Sequence, residues 1–167
     1  MLGTRAVKSV EKHHGETEGH VERLEQVFAL LEKKPQGKTC AAINGITDEG
    51  AEIMTEYKGT PALDAGLLAA AQAVEHYEIS RYGTLRTWAE ELGLDEAVTL
   101  FQETLDEEKA TDKALTDLAK TVVNQEAEGH RELATVPPRG SGIFPGFGSR
   151  SVWRLSTTFR TLEMPCA

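Results

Sequence analysis

The chain has 167 residues, enough for one domain with or without a tail, and its 18 basic and 27 acidic residues give a formal net charge of −9. This acidic balance argues against a nucleic-acid or anionic-membrane binder, because phosphate groups attract clustered positive charge. Cys40 and Cys166 are too few and too far apart for a disulfide framework or a cysteine metal site. Without an apolar leader or a stretch of about 20 apolar residues, the protein is expected to be cytoplasmic.

The charge divides the chain into two parts. Residues 1–130 hold 13 basic and 25 acidic side chains, whereas residues 131–167 hold five Arg, no Lys and two acidic side chains. Four of the six prolines and four glycines in the second part interrupt any helical period. We therefore predict a helical domain over 1–130 and an irregular tail over 131–167. The tail is either a basic, aromatic interaction segment or out-of-frame coding, and we assign it no function.

Four helices are predicted in chain order. The first ends before Pro35, and its apolar side chains recur at steps of three and four: Val21, Leu24, Phe28 and Leu31. A shorter helix covers about 39–57, and a third starts at Thr60, acting as N-cap, and continues to Gly93. Asp95 is expected to cap the fourth. No segment alternates with a period of two for long enough to indicate a strand, so the predicted class is all-α and the architecture an antiparallel bundle.

Three of these helices interrupt their apolar stripes with carboxylates or imidazoles. The interrupting residues are His13, Glu16 or Thr17, and His20 on the first helix, Glu75 and Glu78 on the third, and Glu107 or Glu108 on the fourth. A buried carboxylate costs several kcal/mol unless it is paired or binds a cation, and carboxylates and histidines from facing helices suit iron or manganese. Taken singly, each residue is better explained by a solvated helix face; it is their coincidence on three helices that brings a metal site level with that explanation. The spacing cannot choose between the two candidates on the fourth helix.

Several segments resemble the bacterial YciF-like family of the ferritin-like superfamily. They are residues 16–24 (ETEGHVERL), 38–40 (KTC), 74–79 (VEHYEI), 82–85 (YGTL) and 104–109 (TLDEEK). The similarity covers about residues 10–125, and the family is associated with stress responses without a firmly assigned reaction. Residues 75–78 also resemble the Glu–x–x–Glu of the third helix of rubrerythrins, and residues 106–108 lie where bacterioferritins carry the glutamate of their fourth helix.

This resemblance implies a ferritin-like bundle with a di-iron or di-manganese centre that oxidises Fe(II) with O₂ or peroxide. The implied metal ligands are His13, Glu16, Glu75, Glu78 and Glu107. One of the two third-helix glutamates would bridge the metals, and His20 would orient a ligand.

The chain departs from the family pattern in two places. Ala110 stands where a fourth-helix histidine is expected. From the family pattern we also expect the long first helix, which supplies a glutamate, to be missing before His13. A missing helix would leave apolar faces uncovered, so we expect a homodimer or a higher oligomer. The alternative to a metal-dependent oxidase is a non-catalytic helical interaction or stress protein with a vestigial metal site.

Overall fold

The structure is a computed structural model that describes residues 4–129, with side chains from Lys12 to Glu128. The helices are α1 (Thr4–Leu30), α2 (Ala41–Glu56), α3 (Ala62–Glu91) and α4 (Asp95–Leu118), followed by a π-helical turn (Ala119–Val123) and α5 (Asn124–Gly129). Residues 4–129 contain no strand, which confirms the all-α prediction. In the same residues, no helix has the length and apolar character needed to cross a bilayer. The predicted tail, 131–167, lies outside the described residues.

The first helix ends earlier than its proline predicts. α1 stops at Leu30, ahead of Pro35, because Glu32 takes up a left-handed conformation with φ of 53°. The Lys33 N–H then donates to the Phe28 carbonyl over 2.9 Å, which is the hydrogen bond of a Schellman motif. This motif usually uses glycine, so the residue type at position 32 does not indicate that the helix ends there.

The boundaries of the third and fourth helices lie close to the predicted ones. The Thr60 hydroxyl donates to the Tyr57 carbonyl instead of capping α3, and Pro61 occupies the N-cap position. Gly93, with φ of 68°, ends α3 as expected. Asp95 is the first residue of α4 and not its cap, a position where its charge still favours the helix dipole.

The helices form a row in the order α2, α3, α4, α1, in which each packs against the next. Side-chain contacts show that α1 and α4 are antiparallel, because His13 lies beside Thr111 whereas Arg23 lies beside Thr104. Among the described residues, no Cα atom of α1 comes within 8 Å of α2 or α3. The backbone of α1 is thus held mainly by α4, and α1 reaches α3 through side chains alone.

Positions that face the core between α1, α3 and α4 repeat every seven residues on these three helices. They are His13, His20 and Val27 on α1, Leu68, Glu75, Tyr82 and Ala89 on α3, and Phe101, Glu108 and Leu115 on α4. Seven residues make nearly two helical turns, so residues at this spacing stack in layers along the bundle. The layer containing Val27, Ala89 and Phe101 is apolar. The polar residues of α1, α3 and α4 therefore belong to the adjoining layers of the same core.

An apolar groove opens beside the apolar layer, between the end of α1, the end of α3 and the start of α4. Its lining contains Leu24, Val27, Phe28, Leu31, Leu85, Trp88, Ala89, Leu92, Leu94, Ala97 and Phe101. Leu92 is 72% exposed and Trp88 is 52% exposed, which is unusual for large apolar side chains in a folded domain.

Candidate metal centre

Three helices bring one histidine and three glutamates together in the core. His13 comes from α1, Glu75 and Glu78 from α3, and Glu108 from α4, and one potential ligand atom from each lies within 4.8 Å of all the others. The two α3 residues are three positions apart and therefore project from the same helix face. Nitrogen and oxygen donors in this number suit a transition-metal dication such as iron, manganese or zinc.

Three buried carboxylate oxygens of this group have no hydrogen bond from the described residues. Glu108 is 0% exposed and Glu75 is 3% exposed. Neither oxygen of Glu108, nor Oε2 of Glu75, takes part in a hydrogen bond with any described residue. Buried charge without hydrogen bonds costs several kcal/mol, a cost that a bound dication removes. The side chains of the cluster therefore fit a metal ion better than they fit an ordinary structural core.

The electrostatics of the cluster also favour a cation. Burial, followed by the neighbouring Glu108 carboxylate, raises the pKa of Glu78 to about 9. The pKa of Glu75 is raised for the same reasons. Several carboxylates this close together cannot all be ionised unless a proton or a metal ion compensates their charge. Without metal, the cluster therefore holds protons that a dication would displace.

His13 is prepared for the role of a neutral nitrogen ligand. Burial lowers its pKa, which favours the uncharged imidazole. Its Nδ1 lies 3.3 Å from the Thr111 hydroxyl, and its Nε2 lies 3.3 Å from Oε1 of Glu75. The nitrogen that faces the carboxylates is thus separate from the one that contacts α4, as metal-binding histidines require.

Glu107, the ligand implied by the family resemblance, does not join the cluster. Its two carboxylate oxygens accept hydrogen bonds from the Arg23 guanidinium, at 2.7 and 2.8 Å, and this pairing lowers the pKa of Glu107. Glu108 takes the place expected for it. Glu108 lies seven residues after Phe101 and seven before Leu115, so it points into the core, whereas its neighbour points toward α1.

Glu16, predicted to share a metal with the histidine one turn before it, lies outside the group of four ligand atoms. Its Oε1 pairs with Lys12, and its Oε2 is buried without a hydrogen bond from the described residues. The structure thus brings together His13, Glu75 and Glu78 of the five predicted ligands.

His20 lies between the cluster and the ion pair that Arg23 forms with Glu107. It is 3% exposed; its Nε2 is 2.9 Å from Oε2 of Glu107, and its Nδ1 is 3.1 Å from Oε1 of Glu108. The ring of Tyr82 stands edge-on to it, with the ring centroids 5.9 Å apart. Burial raises the pKa of Tyr82, so its hydroxyl stays protonated and uncharged beside the site.

Sequence reasoning gave Arg23, Tyr82 and Thr111 no role in the site. Tyr82 belongs to the stripe predicted for the third helix, seven residues after Glu75, and the structure places it in the next layer. Arg23 follows His20 by three residues and shares its face, which was a usable indication of a contact with the same partner.

Comparisons with known proteins connect this architecture to bacterial relatives. A family model described as "Domain of unknown function (DUF892)" matches residues 7–128. Protein YciF of Escherichia coli (strain K12) is 48% identical over 117 residues, which amount to 70% of each chain. The crystal structure of the E. coli stress protein YciF matches with a TM-score of 0.70 and 43% identity, over 75% of this chain and 79% of that one. YcfI from Rhodopseudomonas palustris matches with a TM-score of 0.66 and 45% identity, over 69% and 73%.

Proposed function

This chain belongs to the DUF892 family, and from that membership together with the geometry of the cluster we propose that it is a ferritin-like protein that binds iron or manganese. The ligands we assign are His13, Glu75, Glu78 and Glu108. One observation carries the proposal: three oxygens of Glu75 and Glu108 are buried in the core without a hydrogen bond from the described residues. Side chains of this kind are destabilising in a purely structural core and stabilising around a dication.

We propose further that the site is built for two metal ions, as the family resemblance implies. The four ligands supply one nitrogen and several carboxylate oxygens, and Glu16 adds a buried oxygen that has no hydrogen bond from the described residues. Carboxylates can bind through one oxygen or bridge through two, so a small number of glutamates can serve a pair of ions. Glu108, neither of whose oxygens has a hydrogen bond from the described residues, would be one of the residues that hold the metals.

Bound iron would supply one-electron chemistry, in which Fe(II) is oxidised by O₂ or peroxide. The chain's own contribution is to orient the carboxylates and to limit the access of water. Tyr82 and Thr104 are each 1% exposed; Tyr82 packs against His20, and Thr104 accepts a hydrogen bond from Arg23. A location in the cytoplasm, as expected from the sequence, would supply the reduced metal.

A second candidate function is a structural stress protein without metal turnover. The observation that favours it is the contact of Arg23 and His20 with Glu107, which ties α1 to α4 with no need for an ion. In that case Glu75 and Glu78, whose pKa values are raised, would remain protonated beside Glu108, and the protein would act through its surface.

Metal binding to the purified full-length chain separates the two candidates. After treatment with chelator, the protein is titrated with Mn(II) and, anaerobically, with Fe(II), and binding is followed by calorimetry and by thermal unfolding. We expect binding with a rise in melting temperature, because a ligand that binds only the native state stabilises it. Both should be lost in a Glu75→Gln/Glu78→Gln variant and retained in Glu91→Gln, which removes an exposed carboxylate of the same helix.

The outcome assigns the function. Binding followed by consumption of O₂ or peroxide during Fe(II) oxidation supports the oxidase. Binding without Fe(II) oxidation supports metal binding alone. Wild-type protein that melts at the same temperature with and without these metals would support the structural candidate.

A further inference from the structure

Three residues outside the ligand cluster form a continuous path from the surface of α1 to Glu108. Arg23 holds both oxygens of Glu107, at 2.7 and 2.8 Å. Glu107 in turn lies 2.9 Å from Nε2 of His20, and the other nitrogen of that ring lies 3.1 Å from Oε1 of Glu108. Arg23 and His20, both on α1, are 84 and 87 positions away in sequence from Glu107 on α4, so only the folded bundle assembles the path.

Each member of the path is itself fixed in place. A bidentate pair between guanidinium and carboxylate restrains both groups in one plane. The same guanidinium donates to the Thr104 hydroxyl over 3.1 Å, and its Nε lies 3.3 Å from Glu103. The imidazole of His20 is 3% exposed and stands against the ring of Tyr82. With a carboxylate on one side and an aromatic ring on another, this imidazole has little freedom to turn.

Glu108 is the member of the cluster that most needs such support. Both of its oxygens lack a hydrogen bond from the described residues, although the carboxylate is completely buried. Nδ1 of His20 lies 3.1 Å from Oε1 of Glu108, which is within ion-pair distance. The carboxylate is therefore approached by a positioned nitrogen at Oε1, while Oε2, which has no hydrogen bond from the described residues, stays available to a cation.

We propose that Arg23, Glu107 and His20 are positioning residues that hold Glu108 in its metal-binding orientation and thereby set the metal affinity of the site. This inference rests on the proposed metal binding and extends it to residues that touch no metal. Groups that support a metal ligand from outside change metal affinity by about 10- to 100-fold when they are replaced. We expect a loss in that range for His20→Gln and for Glu107→Gln.

The test compares Mn(II) affinity across full-length variants, by calorimetry and by the electron paramagnetic resonance spectrum of bound Mn(II). If the path acts as one unit, the His20→Gln/Glu107→Gln double variant should bind Mn(II) no more weakly than whichever single variant has the lower affinity. Arg23→Lys should lie between wild type and Glu107→Gln, because an ammonium group keeps the charge without holding both oxygens. Asp106→Asn is the matched control: Asp106 is exposed and adjoins Glu107 on α4, and its carboxylate accepts a hydrogen bond from Gln102, so affinity and spectrum should not change.

The readouts distinguish positioning from general stability. Glu107→Gln leaves Arg23 paired with Glu103, so the variant is expected to fold, which circular dichroism checks. A changed Mn(II) spectrum with an unchanged fold supports positioning. If Glu75→Gln/Glu78→Gln abolishes binding while Glu107→Gln and His20→Gln bind as wild type does, the positioning role is refuted and the metal site stands. If wild-type protein binds no metal, the proposed function fails and this inference fails with it.

Discussion

Replacing Glu78 by glutamine should stabilise the metal-free protein. Its potential ligand atom lies within 4.8 Å of that of Glu108. At 4.8 Å, two unit charges repel each other by about 3.5 kcal/mol with an effective dielectric constant of about 20. Protonation of Glu78 avoids this repulsion, but holding a carboxyl of ordinary pKa 4.5 protonated at pH 7 costs about 3.4 kcal/mol. Glutamine has the same shape, is not repelled by the Glu108 charge and needs no bound proton. We therefore expect the free energy of unfolding at pH 7 to rise by about 2–3 kcal/mol.

The gain must depend on pH in a defined direction. The raised pKa of Glu78 means that the folded wild type retains a proton that the unfolded chain loses once the pH exceeds 4.5. Wild-type stability from this group is therefore complete below that pH and falls as the pH rises toward about 9. The difference between Glu78→Gln and wild type should vanish near pH 4 and grow through neutrality.

The assay is denaturant and thermal unfolding in chelator, followed by far-ultraviolet circular dichroism at acidic and neutral pH. For a chain of this size the expected gain corresponds to a rise in melting temperature of about 5–12 °C at pH 7. The exposed control on the same helix, Glu91→Gln, should show no such rise. With Mn(II) at about 100 times its dissociation constant, wild type gains about 2.7 kcal/mol that the variant lacks, so the advantage of the variant should disappear. The reasoning would be refuted by a Glu78→Gln protein that is less stable than wild type without metal. It would also be refuted if the stability difference from wild type were the same at acidic and neutral pH.

Three further predictions concern packing, association and proton competition. Gly66→Ala places a Cβ 2.7 Å from Cγ2 of Ile53 and should destabilise the fold by about 1–3 kcal/mol in urea unfolding; Gly45→Ala, whose Cβ would meet nothing within 4 Å, should be neutral or stabilising by up to about 1 kcal/mol, and equal effects would contradict the packing argument. We expect the chain to self-associate through the apolar groove, so Leu92→Lys should lower the mass measured by analytical ultracentrifugation; a wild-type monomer would contradict this. Because the pKa of Glu75 is raised, Mn(II) affinity should increase from acidic to neutral pH in calorimetry, and a flat profile would show that no proton is displaced.

Much of the fold could be predicted from the sequence because the apolar side chains keep one period over whole helices. The same period located the polar interruptions, since a carboxylate such as Glu75 stands out where its neighbours at seven residues are Leu68 and Tyr82. Helix ends were harder, because the hydrogen bonds that stop α1 use Glu32 in a conformation that its residue type rarely adopts.

The choice between Glu107 and Glu108 shows where local pattern ceases to be sufficient. The two residues are adjacent, both lie within one turn of the apolar stripe, and the family resemblance favoured the first. What separates them is a partner on another helix: Arg23, 84 positions away, holds Glu107 and leaves Glu108 to the core. A pairing at that separation depends on the packing of α1 against α4, which the spacing within either helix does not contain.

Among the described helices, α4 alone lies against the backbone of α1, and this has a consequence for the dynamics of the chain. A helix with one backbone neighbour can open locally at a lower free energy than a helix between two neighbours, and amide hydrogen exchange measures that free energy directly. α1 carries His13, whose contact with Glu75 bridges to α3, so a cation bound there would join the two helices. Occupancy of the site would then slow amide exchange along α1, with little change in α3. Dissociation of the ion would depend on how often α1 separates from α4.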